Sequence, residues 1–314
     1  MSADVRTTTT PRASSRPRRI KDPRSDQILN VVLIIVLSLF TLTIIYPFAY
    51  IVSASMSAPA AVTSGEMWLW PVDPTLAAYR AVLEYPEIPR GFINSVLYST
   101  GAMLLGTAIT TTGGYALSRG DLMGRNVVTM LFVLTMMFSG GMIPTYLVVK
   151  NLGMLNTPWA IIVPTAVSVW QIIVTRTFYQ TTVPHELLET SRIDGASDFR
   201  FFFQVALPLS KPIIAVNLLL YGVGAWNSYF NALIYLTDSS LYPLQLVMRN
   251  ILLENTFDPS KIRNIDPVRL QEMQQLADQL KYSLIIIASI PPLIAYPFVQ
   301  KHFVKGMMIG SLKG

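Results

Sequence analysis

Residues 184–212 read PHELLETSRIDGASDFRFFFQVALPLSKP, a polar stretch with glycine and several prolines that separates two long apolar runs. Pro184 suits the first position of a helix, because that position needs no backbone N–H. Glu186 and Glu189 follow in the opening turns, where carboxylates stabilise the positive end of the helix dipole. The stretch, called the polar segment below, therefore predicts a short amphipathic helix at its start.

The second half of the polar segment predicts a turn and another short helix. Asp194-Gly195 is a typical helix stop, and Ser197 or Asp198 then suits the cap of a second helix. This helix ends near Leu207-Pro208. Such a compact unit either docks on a partner or lies among lipid headgroups, and the residues alone leave both interpretations open. The second helix is predicted to expose four phenylalanines: Phe199, Phe201, Phe202 and Phe203.

The amino-acid composition of the chain is that of a membrane protein. Of the 314 residues, 52% are hydrophobic and 13% are charged, far from the averages of soluble domains. A membrane-spanning helix needs about 20 apolar residues, and six stretches qualify. The first is much longer than the apolar part of a signal peptide, so it is predicted to be a retained anchor. The predicted fold is an all-α membrane protein with six transmembrane helices: Ile28–Ala54, Phe92–Leu117, Val127–Val149, Pro158–Tyr179, Ile213–Leu236 and Leu280–Val299.

Lysine and arginine residues predict the orientation of these helices. They are frequent near both chain ends and after the second and fourth spans, whereas acidic residues balance them in residues 55–91 and 237–279. Because basic residues favour the cytoplasmic side, both termini are predicted to be cytoplasmic. Residues 1–27 are then a disordered basic tail against lipid headgroups, residues 28–300 the transmembrane domain, and residues 301–314 a second tail. The net charge of +6 reflects this topology rather than nucleic acid binding.

Catalytic and metal chemistry receive little support from the sequence. The chain has no cysteine, and its two histidines, His185 and His302, lie far apart. Deep inside the predicted spans we find no acidic, basic or histidine side chain, and Arg176 lies only one turn from a span end. Ion-coupled carriers, pumps and intramembrane enzymes usually need such groups. The sequence therefore predicts no catalytic residue and no metal ligand.

The spans do contain amides and aromatic rings. Amides offer hydrogen-bond donors and acceptors, and a flat ring covers the apolar face of a sugar. Prolines such as Pro144, Pro164 and Pro291 predict kinks, which suit a bundle around a pathway for a neutral, hydroxyl-rich ligand. The alternative is helix packing through amides and small residues. The candidate pathway residues are Trp170, Gln171, Asn217, Tyr221, Trp226, Asn227 and Asn231.

The polar segment also resembles a known motif, the EAA loop of ABC importer permeases. Thr190 and Ser191 stand where that motif has two alanines, a small-for-small change. Three further stretches, residues 138–146, 151–157 and 303–314, resemble the carbohydrate-uptake branch related to the maltose-type permeases, and the resemblance covers residues 28–314. The positions that match the motif are Glu189, Asp194, Gly195, Ala196, Phe202 or Phe203, Leu207, Pro208 and Pro212.

The resemblance implies a type I ABC importer permease fold in which residues 184–193 form a cytoplasmic coupling helix. It implies that Glu189 and Asp194 make polar contacts with an ATPase and that Gly195 permits a tight turn. The phenylalanines would anchor the loop to the bundle, and residues 237–279 would meet a binding protein. The implied coupling positions are Glu186, Glu189, Thr190, Ser191, Asp194, Gly195, Ala196, Phe199, Phe202, Phe203, Leu207 and Pro208.

The resemblance further implies a sister permease, a dimer of cytoplasmic ABC ATPases and an extracytoplasmic solute-binding protein as partners. ATP and Mg²⁺ would bind to the ATPase, and this chain contains no G-x-x-x-x-G-K-[ST] phosphate loop. We therefore expect a transport subunit that binds no cofactor and is not itself an enzyme. The implied function is ATP-driven import of an oligosaccharide through a bacterial plasma membrane by alternating access. The alternative is a stand-alone channel, or a structural membrane subunit with an interfacial loop.

Overall fold

The computed structural model describes residues 23–254, 279–297 and 300. All regular secondary structure in these residues is helical, as the composition predicts. Four predicted features lie outside the described residues: most of the basic tail, most of the loop at residues 237–279, the C-terminal tail and His302.

The described helices follow one another through short connections. A π-helical turn at Phe202–Ala206 and a 3₁₀ turn at Ser239–Leu241 lie between them. The α-helices are α1 (Arg24–Met56), α2 (Pro59–Thr63), α3 (Ala77–Glu84), α4 (Glu87–Ser118), α5 (Arg125–Met137), α6 (Met142–Asn151), α7 (Trp159–Thr165), α8 (Val169–Thr182), α9 (His185–Ile193), α10 (Asp198–Phe201), α11 (Leu207–Leu209), α12 (Lys211–Trp226), α13 (Phe230–Tyr235) and α14 (Leu244–Glu254), and α15 (Gln279–Pro297).

Three of these helices, α1, α4 and α15, are each long and apolar enough to cross a membrane. Three helix pairs reach that length only together, and each pair is bent. The bend is 119° between α5 and α6, 46° between α7 and α8, and 77° between Asp198–Leu209 and α12. Among the described residues there are thus three candidate spans, or up to six if each bent pair is one span.

Three predicted spans are not continuous helices. The prediction of one helix over residues 127–149 is wrong, because the chain leaves the helix at Phe138 and re-enters at Met142. Gly141 in this break has φ +84°, a conformation that glycine adopts without steric cost. The prediction of one helix over residues 213–236 is also wrong. Here α12 ends at Trp226 and α13 begins only at Phe230, and the intervening Asn-Ser pair favours caps and turns over helix interiors.

The fourth predicted span is broken at a proline. Helix α7 ends at Thr165, directly after Pro164, whose ring cannot continue the hydrogen-bond ladder. Helix α8 begins after Ser168, whose Oγ accepts a hydrogen bond from the N–H of Gln171 at 3.4 Å. The first helix therefore ends at a proline, and the second begins with an N-terminus capped by Ser168.

The described residues fall into two units, one that ends at residue 49 and one that begins at residue 50. In the first unit the described part is essentially the beginning of α1, where every side chain from residue 24 to residue 48 is exposed. From Val31 onward this part of the helix carries no charged residue and is apolar on all sides, as expected of a helix surrounded by lipid.

Helix α4 is the centre of the second unit, where it contacts α7, α8, α12 and α14. Glycines allow this close approach. A Cβ on Gly101 would lie 2.8 Å from Ile162, and one on Gly106 would lie 2.8 Å from the ring of Tyr221. Distances under about 3 Å between such atoms are excluded by repulsion, so larger residues would force the helices apart.

Candidate coupling site and substrate pathway

The first half of the polar segment forms the predicted amphipathic helix α9. Pro184 is its N-cap rather than its first helical residue, and Leu188 is buried on the inner face at 5% exposure. Glu186 and Glu189 are exposed, and Glu189 contacts the ring of His185 at 3.2 Å. Helix α9 thus rests on one leucine and presents carboxylates to its surroundings.

The turn after α9 requires glycine. Gly195 has φ +76°, and its N–H donates to the carbonyl of Arg192 at 3.0 Å. The N–H of Ala196 donates to the carbonyl of Ser191 at 2.9 Å, so the last carbonyls of the helix are satisfied. A Cβ on Gly195 would meet nothing within 4 Å. The need for glycine is therefore one of backbone conformation, and Asp194 beside it is exposed.

The two hydroxyl residues that replace alanines in the motif bond within their own helix. Thr190 Oγ1 donates to the carbonyl of Glu186 at 2.8 Å, and Ser191 Oγ donates to that of Leu188 at 2.9 Å. Since both hydroxyl protons are used locally, the replacement leaves the exposed surface of α9 little changed.

The four phenylalanines of the second helix do not share one environment. Phe199 and Phe203 are 79% and 60% exposed, but Phe201 and Phe202 are buried, which corrects the prediction that all four are exposed. Phe201 and Phe202 pack with Tyr179 and Leu188. The π-helical turn from Phe202 to Ala206 was not predicted. It precedes the Leu207-Pro208 pair of α11, which leads into α12.

Tyr115 of α4 completes this aromatic cluster, and sequence reasoning missed it. Its ring centroid lies 4.8 Å from that of Phe202 and 5.4 Å from that of Tyr179. Rings at such distances attract each other beyond simple burial. The polar segment therefore packs directly against the C-terminal end of α4.

Four charged side chains form a second connection between the polar segment and the end of α4. Arg119 donates to both carboxylate oxygens of Asp121, at 2.8 and 2.6 Å, and to Asp198 at 3.2 Å. Arg192, near the end of α9, reaches Asp121 at 2.7 Å and Asp198 at 3.4 Å. Among the coupling residues predicted from sequence, none belongs to this cluster.

The charges in this cluster stabilise one another. Hydrogen bonds from Arg119, and then from Arg192, hold the pKa of the Asp121 carboxyl well below its usual range. The hydrogen bond to Asp121 likewise raises the pKa of each of the two arginines. Asp121 and the two arginines therefore remain ionised across the physiological range.

Three of the seven candidate pathway residues, Asn217, Tyr221 and Trp226, form hydrogen bonds between helices. Asn217 Nδ2 donates to Thr175 Oγ1 at 2.9 Å, and the indole N–H of Trp226 donates to the carbonyl of Ala288 at 2.9 Å. Both side chains are buried. These contacts match the alternative that amides and rings serve helix packing.

Tyr221 stabilises the break in the fourth span. Its hydroxyl accepts from the N–H of Ser168 at 3.1 Å and bonds to Thr110 Oγ1 at 2.6 Å. A backbone N–H freed by a helix break inside a membrane needs such a partner. Gln171, one turn into α8, is also buried, and its Oε1 has no partner among the described residues.

Three candidate pathway residues remain accessible in the single chain. Trp170 and Asn227 are exposed, and Asn231 is half-buried. A cavity of about 380 Å³, with Trp226 in its wall, lies between α4, α12 and α15. Its walls are mainly apolar, with Ser99 and Thr100 as hydroxyl residues, so it offers few groups that bind a sugar.

We find no candidate metal site in the part of the chain that is described. No group of three or more histidine, cysteine, aspartate or glutamate residues there could hold an ion.

Residues 122–309 match the sequence profile of a family described as the binding-protein-dependent transport system inner membrane component. The matched range is more than half of the chain and includes the whole polar segment. The chain belongs to this family. As such an inner membrane component, it is a multi-pass protein of the plasma membrane.

Known proteins similar to this permease agree with that assignment. Protein LplC of Bacillus subtilis (strain 168) is 41% identical over 86% of this chain and 90% of LplC. The polygalacturonan/rhamnogalacturonan transport system permease protein YtcP of the same organism is 38% identical over 88% of this chain and 96% of YtcP. A chain of a bacterial ABC transporter involved in the import of the acidic polysaccharide alginate has a TM-score of 0.80 and 31% identity, covering 90% of this permease and 99% of that chain.

These comparisons confirm the resemblance seen in the polar segment. The permease has the type I ABC importer fold, and its described residues are helical throughout their regular structure. They support a transport component that depends on a binding protein and do not support a stand-alone channel. The individual coupling and pathway positions stay predictions.

Proposed function

We propose that this chain is one of two permease subunits of an ATP-driven importer that moves an oligosaccharide across the plasma membrane by alternating access. Its family depends on a binding protein, and YtcP and the alginate importer both belong to transport systems for polysaccharides. The observation that carries the proposal is helix α9, which exposes its carboxylates and ends in a glycine turn held against α4. Import, rather than export, follows from the dependence on a binding protein.

We propose six spans with both termini in the cytoplasm. The apolar helices allow up to six spans if each bent pair counts as one, and the basic residues near the chain ends favour the cytoplasmic side. Residues 28–300 are then the transmembrane domain between two cytoplasmic tails. In this topology α9 with its glycine turn and the C-terminal end of α4 are cytoplasmic, and residues 237–279 face the binding protein.

In this arrangement α9 docks on the partner ATPase. The exposed side chains of Glu186, Glu189 and Asp194 would make the polar contacts, and Ile193, which is 86% exposed, would add an apolar one. The remaining coupling positions support these contacts from within. They are Thr190 and Ser191 through bonds inside α9, Gly195 and Ala196 through the turn, Phe202 through the aromatic cluster, and Leu207 and Pro208 through the exit to α12. Phe199 and Phe203 remain open to a partner.

Energy for transport comes from hydrolysis of ATP, which binds together with Mg²⁺ on the ATPase. Closure of the ATPase dimer would move α9 of this chain and its counterpart in the sister permease as rigid bodies. The pathway would open outward to receive sugar from the docked binding protein, and hydrolysis would reset it. This chain contributes the moving helices and performs no chemistry itself.

We infer that the sugar is an oligosaccharide that carries carboxylates. Galacturonan is built from sugar acids, and alginate is an acidic polysaccharide. The low charge of the spans predicts a neutral ligand instead. An acidic sugar would then find its basic partners on the binding protein or the sister permease, and Trp170, Asn227 and Asn231 would offer a ring and amides on this chain.

The test is ATP hydrolysis by the assembled complex, with binding protein and with trigalacturonate, an alginate trisaccharide or raffinose. Gly195→Pro, which cannot adopt φ +76°, and Glu189→Ala/Asp194→Ala should abolish sugar-stimulated hydrolysis and transport. A matched control, Glu66→Ala/Glu84→Ala, removes two exposed carboxylates from the other side of the predicted membrane and should retain both activities. If the α9 variants keep full stimulated activity, the coupling assignment fails. Stimulation by raffinose alone would contradict the acidic substrate class.

A further inference from the structure

The charged cluster joins parts of the chain that are distant in sequence. Asp121 and Arg192, which bond at 2.7 Å, are 71 residues apart, and Arg119 reaches Asp198 across 79 residues. Arg119 and Asp121 follow directly after α4, whereas Arg192 and Asp198 flank the glycine turn of the polar segment. The cluster therefore connects α4 to a segment that the chain itself joins only to α8 and α12.

Several groups fix the side chain of Arg119 in position. Its side chain is only 12% exposed, and it also donates to the hydroxyl of Tyr115 at 2.9 Å. Tyr115 in turn packs on Phe202. An arginine fork held by carboxylates and a hydroxyl has a fixed direction, so the cluster fixes orientation as well as distance.

The opposite end of α4 is bonded to the first residues of the predicted binding-protein loop, residues 237–279. Asn94 Nδ2 donates to the carbonyls of Ser240 and Tyr242, at 2.9 and 3.0 Å. The hydroxyl of Tyr98 donates to the carbonyl of Leu241 at 2.8 Å. One continuous helix thus contacts the polar segment at one end and residues 240–242 at the other.

We propose that Arg119, Asp121, Arg192 and Asp198 form an ionic link through which the polar segment and α4 move as one body, so that α4 carries movement between the coupling helix and residues 240–242. The four residues are positioning residues, because they act through α9 and contact no substrate. This inference rests on the proposed docking of α9 on the ATPase. Without the link, the polar segment is free to pivot about Pro184 and Gly195, and movement of α9 would reach α4 only through the aromatic cluster.

The first test measures how much sugar enters per ATP hydrolysed by the complete complex in vesicles, using whichever of trigalacturonate and raffinose stimulates the wild type. Arg192→Gln removes one charge from a side chain that is 48% exposed, so folding should be retained. We expect the sugar-to-ATP ratio to fall at least threefold while hydrolysis continues. Arg200→Gln is the matched control, because Arg200 bonds to Gln204 at 3.1 Å and lies outside the cluster. Its ratio should stay within experimental error of the wild type.

The absence of cysteine from the chain allows a covalent replacement of the link. Asp121→Cys/Arg192→Cys should show the same low ratio, and a short bis-methanethiosulfonate that joins the two thiols should restore it. If the two substitutions lowered the ratio only by disturbing the fold, the cross-link would not restore it. If cross-linking instead stops transport, the two elements separate during the cycle and the proposal is wrong.

A second readout needs no sugar. Ser240→Cys, at a half-buried position beside the N-terminal end of α4, is labelled with a maleimide before and after trapping of the ATPase with ATP and vanadate. We expect trapping to change the labelling rate in the wild-type background and to leave it unchanged with Arg192→Gln. A change that persists in Arg192→Gln and in Arg119→Gln would overturn the ionic link.

Failure of this proposal differs from failure of the proposed function. Gly195→Pro in the same assays reports on the coupling helix itself. If Gly195→Pro uncouples the complex while the cluster variants behave as wild type, only the ionic link is wrong. If Gly195→Pro also has no effect, the coupling assignment fails.

Discussion

The two ends of α4 are held by different chemistry. At the N-terminal end, Asn94, Ser95 and Tyr98 bond to backbone groups of residues 240–244, and Ser95 and Tyr98 are 2% and 1% exposed. At the C-terminal end, ion pairs between side chains that are mostly partly exposed are added to the ring contacts of Tyr115. Only the C-terminal end therefore contains charged contacts that solvent can reach.

This difference suggests different roles for the two ends. A buried hydrogen bond contributes about 1 kcal/mol, and leaving one partner unpaired costs about 1–3 kcal/mol. Exposed ion pairs contribute about 0–1 kcal/mol and weaken with salt. We expect the N-terminal end to matter mainly for folding. We expect the ion pairs at the C-terminal end to add little stability and to orient the polar segment relative to α4.

The two ends of α4 can be linked only if the helix packs tightly between them. A substitution at Gly114 tests this packing. A Cβ there would lie 2.8 Å from Thr175 Cγ2 and 3.1 Å from the backbone nitrogen of Arg176. Gly114→Ala should therefore push α4 away from α8 and destabilise the complex by about 1–3 kcal/mol. Gly113→Ala is the matched control, since its Cβ would meet nothing within 4 Å. Thermal unfolding of the purified complex measures both, and equal melting temperatures would show that α4 is loosely packed.

The N-terminal end is tested by Ser95. Its Oγ accepts from the N–H of Leu244 at 2.8 Å, so Ser95→Ala leaves a buried donor unpaired and should cost about 1–2 kcal/mol. Ser99 lies one turn further along α4, and its hydroxyl is buried with no partner among the described residues. Ser99→Ala should therefore change the melting temperature little. A larger loss for Ser99→Ala than for Ser95→Ala would contradict the assignment of this end.

The same substitution at each end compares the two directly. Tyr98→Phe loses a buried hydrogen bond to the carbonyl of Leu241 and should cost about 1 kcal/mol. Tyr115→Phe loses the bond from Arg119, but Arg119 keeps two bonds to Asp121, so a smaller cost is expected. Melting curves in low salt and in about 0.5 M NaCl, where the Debye length is about 4 Å, distinguish them further. Salt should reduce the effect of Tyr115→Phe only, and equal salt dependence would remove the distinction.

The smallest expected effect is that of pH on the charged end. Hydrogen bonds from Arg119 and Arg192 hold the pKa of Asp121 well below its usual range. A carboxyl group with a lowered folded pKa stabilises the protein above its unfolded pKa of about 3.9, and loses this contribution as pH falls through the folded value. The difference in melting temperature between wild type and Asp121→Asn should therefore be constant from about pH 8 to pH 5. It should shrink below about pH 5, and a difference that stays unchanged from about pH 5 to pH 3 would show that the ion pairs are not formed.

Local sequence signals predicted the polar segment well. Helix α9 runs from His185 to Ile193 against a prediction of 184–193, the turn uses Gly195 with φ +76°, and Ser197 caps the next helix through its Oγ. Each of these features depends on a residue and its neighbours within about four positions. The same applies to the break after Pro164.

Continuity of the spans was harder to predict. Hydrophobicity identifies residues that prefer lipid, but it does not distinguish one straight helix from two shorter ones. The stops at Phe138 and Trp226 lie inside apolar stretches. At both stops the chain turns through local hydrogen bonds, from the N–H of Gly141 to Ser139 Oγ and from the N–H of Ser228 to the carbonyl of Ala225, and the hydrophobicity of a stretch carries no information about such turns.

The sequence by itself determined the membrane class, the approximate positions of the apolar helices, the shape of the polar segment and the family, because hydrophobic length, helix caps and glycine turns act over short distances. Only the tertiary structure decided which side chains face inward. It buries Phe202 but exposes Phe203, turns Tyr221 into the support of a helix break, and pairs Asp121 with Arg192 across 71 residues. These outcomes depend on how separate helices pack against α4, and no local pattern contains that packing.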